Sequence, residues 1–200
     1  MAIGWLMEAA GWQAARACQG MTAVACGVGN NGGDGLAAAR HLHRWGRLAS
    51  IACMDEARLG TEARLELEAL RRNGVRVMDT LHLEGAETVL DSIFGTGVSR
   101  APQGRFAEWI VAINASGLRV VSVDVPSGLD ADSGVAYSPC VHANVTVTFT
   151  LPKSGLLLAD GPRLAGEVRL ADIGVPIEAL AAIGVKVPAD LFTKSDVITL

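Results

Sequence analysis

Apolar positions recur along this chain in two alternating rhythms. Residues 22–26 (Thr-Ala-Val-Ala-Cys) form a short continuous apolar run, as a buried strand requires. Residues 34–45 follow with Ala38, Leu42 and Trp45 at i, i+4 and i+7, which is helical spacing. Residues 48–53 read as a second strand. Residues 61–73 read as a helix with Ala63, Leu67 and Leu70 on one stripe, stopped by Asn73-Gly74. The pattern then predicts a weak third strand at 75–78 and a fourth at 88–94. A helix over 104–116 turns Phe106, Trp109, Ile110 and Ile113 inward, and a β-branched strand at 118–123 ends at Asp124. Two further strands, 144–150 and 167–170, come with no long helix between them, and residues 5–18 read as an alanine-rich helix. Alternating strands and helices imply βαβ units, hence a mostly parallel sheet covered on both faces. Right-handed crossovers make that a doubly wound α/β/α sandwich. No repeat or linker divides the chain, so residues 1–200 are expected to form one domain.

Composition narrows the partners. Half of the 200 residues are hydrophobic and 19% are charged, an ordinary globular balance that argues against disorder. With 17 basic and 21 acidic residues the net charge is −4, which gives no electrostatic reason to expect nucleic acid or an anionic membrane. No stretch approaches the roughly 20 apolar residues of a membrane-spanning helix. No targeting segment is visible either, so a soluble cytoplasmic protein is expected. Cys18, Cys26, Cys53 and Cys140 form no Cys-x-x-Cys pair and read as buried free thiols in a reducing compartment. His41 and His43, two apart on a helix, cannot jointly hold a metal and read as surface residues.

The unusual residues fall at one edge. Gly-Val-Gly-Asn-Asn-Gly-Gly-Asp-Gly (27–35) follows the first strand, Asp91 lies within the fourth and Gly95-Thr96-Gly97 follows it. Asp124-Val-Pro-Ser-Gly (124–128) follows the next strand, and Pro152-Lys153 the one after. Each lies at or near a strand's carboxyl end, where open parallel sheets bind ligands. Gly27, Gly29 and Gly32 satisfy Gly-x-Gly-x-x-Gly between a strand and a helix, the context that a dinucleotide pyrophosphate requires. Asp34 is placed to cap the helix. Asn30 and Asn31 are too polar for spacers, and their amides are placed to touch a ligand or ion. The chain contains no Gly-x-x-x-x-Gly-Lys-Ser/Thr, so a P-loop ATPase is unsupported. A carboxylate inside an apolar strand is costly, so Asp91 must be solvated at a cleft, hydrogen-bonded or bound to a cation. Pro126 ends its strand sharply, which sends Asp124 and Ser127 into the cleft; the alternative for Asp124 is a turn-capping aspartate. Lys153 either holds a phosphate or is solvated.

These segments carry a resemblance. Gly29-Asn-Asn-Gly-Gly-Asp-Gly35 with Ala39-Arg-His-Leu42, Asp91-Ser-Ile-Phe-Gly-Thr-Gly97 and Val123-Asp-Val-Pro-Ser-Gly-Leu-Asp130 resemble the NAD(P)H-hydrate epimerases, the YjeF N-terminal family. Leu6-Met-Glu-Ala-Ala-Gly11, Pro152-Lys153-x-Gly155 and Asp172-Ile-Gly-Val-Pro176 look like its flanking motifs, in unchanged order. The resemblance implies a Rossmann-like three-layer sandwich, usually a homodimer, binding one potassium ion per subunit. It implies an isomerase that interconverts the R and S hydrates of NADH and NADPH (NADHX and NADPHX), so that a separate S-specific dehydratase can repair both. Carried over by position, Asn30, Asn31, Gly32, Gly33 and Asp34 would contact substrate. Gly95, Thr96, Gly97, Val98, Ser99, Arg100 and Ala101 would hold its phosphate region, and Asp124 its reacting end. Asn31, Asp91 and Ser127 would be potassium ligands, and oxygen donors of these types suit a hard cation. The chain begins five residues before the Leu-Met-Glu motif, where the family usually carries a further segment, and lacks the fused dehydratase domain; it is expected not to dehydrate the hydrate itself.

Inverting C6 of the hydrate means breaking and remaking a bond there, by loss and return of water or by ring opening. Asp124 is the expected general acid–base. Two other classes compete. An NAD(P)-dependent oxidoreductase draws support from the glycine motif and from Asp55 near the second strand, but 200 residues leave little room for a substrate domain. A non-catalytic scaffold of the same fold would have no need of Asn31, Asp91, Asp124 and Ser127 together.

Overall fold

The computed structural model describes residues 3–200. Its centre is one seven-stranded sheet in the order β2-β1-β3-β4-β5-β6-β7. The strands are β1 (Thr22–Cys26), β2 (Leu48–Cys53), β3 (Thr88–Ser92), β4 (Arg119–Val123), β5 (Val145–Phe149), β6 (Glu167–Ala171) and β7 (Val197–Thr199). All neighbours pair in parallel except β7, which runs antiparallel to β6. β1, β3 and β5 are buried along their whole length, as parallel strands with both faces covered must be. Alternation sorts their side chains. Val24, Cys26, Leu90, Val121 and Val123 face a core shared with α1 (Ile3–Ala17), α2 (Asn30–Arg44) and α3 (Thr61–Arg72). Ala25, Val89 and Val120 face the other way, onto Trp109, Ile110 and Ile113 of α4 (Gly104–Ala115). The short α5 (Gly161–Leu164) closes that second layer beside Val168 of β6. The three-layer α/β/α expectation therefore holds.

Helix α2 lies deepest. Ala37, Ala38 and Ala39 have no exposed surface because α1 crosses them closely, and a Cβ on Gly11 would come within 2.5 Å of the Ala37 Cβ. Small residues at this crossing let two backbones approach while the sheet backs both. The C-terminal segment, with α6 (Ile177–Ala182) and β7, is tied to α1 by polar contacts. Buried Gln13 donates through Nε2 to the Asp172 carbonyl and to Asp196 Oδ2, both at 3.1 Å, and Arg16 pairs with Asp196.

Three expectations change. Residues 75–78 form no strand; Met78 alone makes a parallel bridge to Ala52, because only one residue is aligned on the edge of β2 before the chain turns at Asp79. Helix α2 begins at Asn30, so the Asn-Asn-Gly-Gly stretch is its first turn rather than a preceding loop. His41 is buried between Trp12 and Trp45, with Nε2 3.1 Å from Glu8 Oε1, whereas His43 is exposed as expected. All four cysteines are buried and free. Among the described residues no helix is long and apolar enough to cross a membrane.

Candidate functional site

The chain runs outward from β1 to β2 and then returns across β1 to β3, so strand order reverses between β1 and β3. Carboxyl ends diverge at such a point and leave a crevice. α2 starts there. Its first residue follows Gly29, no side chain caps it, and its leading N–H groups and positive dipole end are left for a ligand or solvent. Asp34 is therefore not a cap; it sits in the second turn, on the helix face of Asn30 and Asn31. The glycines divide into two sets. A Cβ on Gly32 would lie 1.9 Å from the Gly27 carbonyl oxygen, and one on Gly33 would strike the Met7 methyl at 2.4 Å. These two face packing, not the crevice. Around Gly29 nothing comes within 4 Å.

Asp91, the fourth residue of β3, has no exposed surface. Four donors surround it: Ser122 Oγ (2.8 Å) and Ser127 N (3.0 Å) on Oδ2, Ser127 Oγ (2.6 Å) and Ile93 N (3.3 Å) on Oδ1. They saturate the carboxylate's acceptor capacity. Burial nevertheless outweighs them and raises its pKa. Of the three alternatives open to Asp91, hydrogen bonding is met within the protein. Ser127 is likewise fully buried and does not project into the cleft. Its hydroxyl also accepts from Phe94 N at 2.8 Å, so the pair forms the floor under the Phe94–Gly97 turn. Asn31 approaches the same turn from α2, since a Cβ on Gly95 would be 3.2 Å from its Oδ1. Among the described residues, neither polar atom of this buried amide has a hydrogen-bond partner.

Asp124 follows β4 in a left-handed conformation, φ 66°, tolerable for aspartate and uncommon for most residues. It does not cap its turn. Lys153 Nζ lies 2.6 Å from its Oδ1, and Thr148 Oγ1 donates to the same oxygen at 3.2 Å. Lys153, which could have been a phosphate ligand or solvated, is an ion-pair partner instead. It also donates to the Phe149 carbonyl at 3.0 Å. Asp34, Asp124 and Asn31 line one cavity of about 400 Å³. Burial chiefly, and the Asp124 charge next, raise the Asp34 pKa well above its ordinary value, while Lys153 opposes them.

A second cavity of about 450 Å³ adjoins the first, with Val28, Phe94 and Gly97 lining both. Here Gly97, Val98, Ser99, Arg100 and Ala101 form one wall, and Arg58, from the 3₁₀ turn after β2, forms another. Arg58 and Arg100 are exposed, and Arg58 lies 3.8 Å from Asp55. The result is one cleft with carboxylates at one end and arginines at the other. Asn30, Asn31, Asp34, Asp124 and residues 95–101 all line it, whereas Asp91 and Ser127 lie beneath. Among the described residues no group of three His, Cys, Asp or Glu could hold a metal. Arg58 and the role of Lys153 were missed; their signal was position, since both follow a strand's carboxyl end.

A sequence model of the family described as YjeF-related protein N-terminus matches residues 4–155. An NAD(P)H-hydrate epimerase of Rhodopirellula baltica is 35% identical over 187 residues, 88% of this chain and 77% of that protein. One from Limosilactobacillus fermentum is 40% identical over 151 residues, covering 74% and 73%. A bifunctional NAD(P)H-hydrate repair enzyme Nnr of Moorella thermoacetica is 40% identical over 169 residues, 79% of this chain but 32% of its own length. The chain thus spans about a third of the bifunctional relatives it matches, 32% and 36% of two of them. In fold it is similar to the crystal structure of yeast ynu0, with a TM-score of 0.80 over 100% of this chain and 91% of that one at 23% identity. Taken with the switch-point cleft and the motifs that line it, the match over residues 4–155 shows that this chain belongs to the YjeF-related protein N-terminus family.

Proposed function

We propose that this chain is an isomerase that interconverts the R and S hydrates of NADH and NADPH. The observation that carries the reading is the polarity of the cleft. A dinucleotide hydrate has an anionic pyrophosphate and, remote from it, a neutral reduced ring with a hydroxyl to be moved. Arg58, Arg100 and the start of α2 suit the first; Asp124 and Asp34 suit the second. Asp124 is the general acid–base at the C6 hydroxyl, worth about 10²–10⁴-fold in rate. The relatives named NAD(P)H-hydrate epimerase support the same reading. In the bifunctional relatives the other activity would reside in the length this chain does not cover, so an S-specific dehydratase is its functional partner.

Asn31, Asp91 and Ser127 would hold one potassium ion, which would supply positive charge at the floor of the cleft. Amide, carboxylate and hydroxyl oxygens suit a hard cation, and the unpartnered Asn31 amide favours it. Asp91 already receives four donors, so an ion would have to share its oxygens. Exchanging potassium for choline at constant ionic strength should lower the Tm of the wild type, because an ion bound to the folded state alone stabilises it. Asn31→Ala should abolish the difference; an unchanged wild-type Tm would count against the ion. A homodimer is supported by exposed Ile3, Trp5 and Leu65, the last on α3, against which Gly4 of α1 packs. The free buried cysteines favour a reducing cytoplasm.

The test supplies purified R hydrate and an S-specific dehydratase, with and without this protein. Recovery of NADH or NADPH should accelerate when it is added. Recovery at the uncatalysed rate would reject the reading.

A further inference from the structure

Inverting C6 by ring opening needs proton transfers at two atoms, the C6 oxygen and N1, and Asp124 alone serves one of them. The same cavity holds a second carboxyl group. Asp34 follows Asn30 and Asn31 by four and three residues, so all three side chains share one face of α2 and line the cavity with Asp124. The two carboxyl groups have unlike surroundings. Asp124 is in contact with a cation, Lys153 Nζ at 2.6 Å, and with the Thr148 hydroxyl at 3.2 Å. Both contacts engage Oδ1, and Asp124 lines the cavity. Lys153 is itself fixed by the Phe149 carbonyl at 3.0 Å, which orients its ammonium independently of any ligand. Asp34 lacks such contacts: among the described residues no hydrogen bond offsets its burial, and the Asp124 charge adds to the cost of ionising it more than Lys153 relieves it. Burial that disfavours ionisation makes Asp34 the proton donor, and the cavity sets it beside a carboxylate held by a cation, the proton acceptor.

We propose that Asp34 is a second catalytic group of this site, the acid that works with the Asp124 base, and that Lys153 positions Asp124 for the exchange. The proposal rests on the epimerase reading and adds a pair of roles to it. The step is a ring opening that needs no co-reactant. The Asp124 carboxylate takes the proton from the C6 hydroxyl, the O–H electron pair becomes the second bond of a C6 carbonyl, and the C6–N1 bond breaks. Its electron pair passes to N1, which takes the proton from the Asp34 carboxyl. Rotation about the C5–C6 single bond then presents the other carbonyl face. N1 adds to it, returns its proton to Asp34, and the new alkoxide recovers the proton from Asp124. Both residues end as they began, and C6 is inverted.

The test follows conversion of R hydrate to S from pH 5 to 9, with calorimetric binding of ADP-ribose as a readout independent of turnover. Asp34→Asn should lose about 10²–10⁴-fold in kcat, bind ADP-ribose within twofold of wild type, and lose the high-pH fall in rate that ionisation of Asp34 imposes. Lys153→Met should lower kcat more than it raises KM, and Lys153→Arg should restore part of the loss because a cation again contacts Asp124. Asp34→Asn with wild-type kcat and an unchanged pH profile would overturn the acid; equal kcat in Lys153→Met and wild type would overturn the positioning role. Failure of the epimerase reading looks different, since the wild type itself would then leave R hydrate unconverted.

Discussion

At Asp91 two backbone N–H groups and two hydroxyls converge on a carboxylate with no exposed surface, and burial still raises its pKa. Asn cannot replace it. Whichever way the amide is turned, its NH₂ meets either Ser127 N or Ile93 N and leaves a buried donor unpaired, at about 1–3 kcal/mol. Asp91→Asn should therefore lower the Tm, by roughly 2–4 °C per kcal/mol in a chain of this size. A Tm equal to wild type would mean that the four bonds do not act as a set. Asp34 behaves in the opposite sense. Its raised pKa means that the folded protein retains a proton the unfolded chain gives up above about pH 4. Its contribution to stability is present in acid and is lost as pH rises through the folded pKa. Asp34→Asn removes that loss, so its Tm should match the wild type near pH 4 and exceed it at pH 8; a gap that fails to widen with pH would be contrary. Asp91 and Asp124 were legible in the sequence because a carboxylate within or ending an apolar strand costs too much to be accidental. The Asp124–Lys153 pair was not, since it joins residues 29 apart whose periodicity says nothing of each other. His41 was misread although it falls at i+3 in the stripe of Ala38, Leu42 and Trp45, and burial duly lowers its pKa.

Elements settle what the glycine motif is for. Read as a loop, Gly27 to Gly35 lets a phosphate approach; built as the first turns of α2, most of it lets the helix approach β1 and β3. Gly35→Ala would put a Cβ 1.9 Å from Ser92 Oγ, an overpacking worth about 1–3 kcal/mol. Gly29 has open space around it and φ −88°, so Gly29→Ala should fold within about 0.5 kcal/mol of wild type yet bind ADP-ribose less tightly. Equal affinity, measured by calorimetry, would place the pyrophosphate elsewhere. Long periodic elements were readable because their apolar stripes cover three or more positions. The segment beyond residue 171 was not: α6 has six residues, β7 has three, and β7 forms because it pairs with β6 rather than through any pattern of its own.

Across the whole molecule a net charge of −4 conceals the division that matters, arginines at one end of a cleft and carboxylates at the other. Sequence order alone could not reveal it, since Arg58 and Arg100 come from turns after different strands and meet only when β2 and β3 flank β1. Removing both arginines should weaken ADP-ribose binding at least about tenfold and flatten its dependence on salt, as loss of charge-assisted contacts does. Undiminished affinity in the double variant would show that the phosphates lie outside this cavity. The most direct measurement follows exchange between R and S hydrate by wild type and Asp124→Asn, with ADP-ribose affinity determined on both. The expected result is rapid exchange by wild type and a loss of about 10²–10⁴-fold in the variant at unchanged affinity. Exchange by Asp124→Asn at the wild-type rate would contradict it.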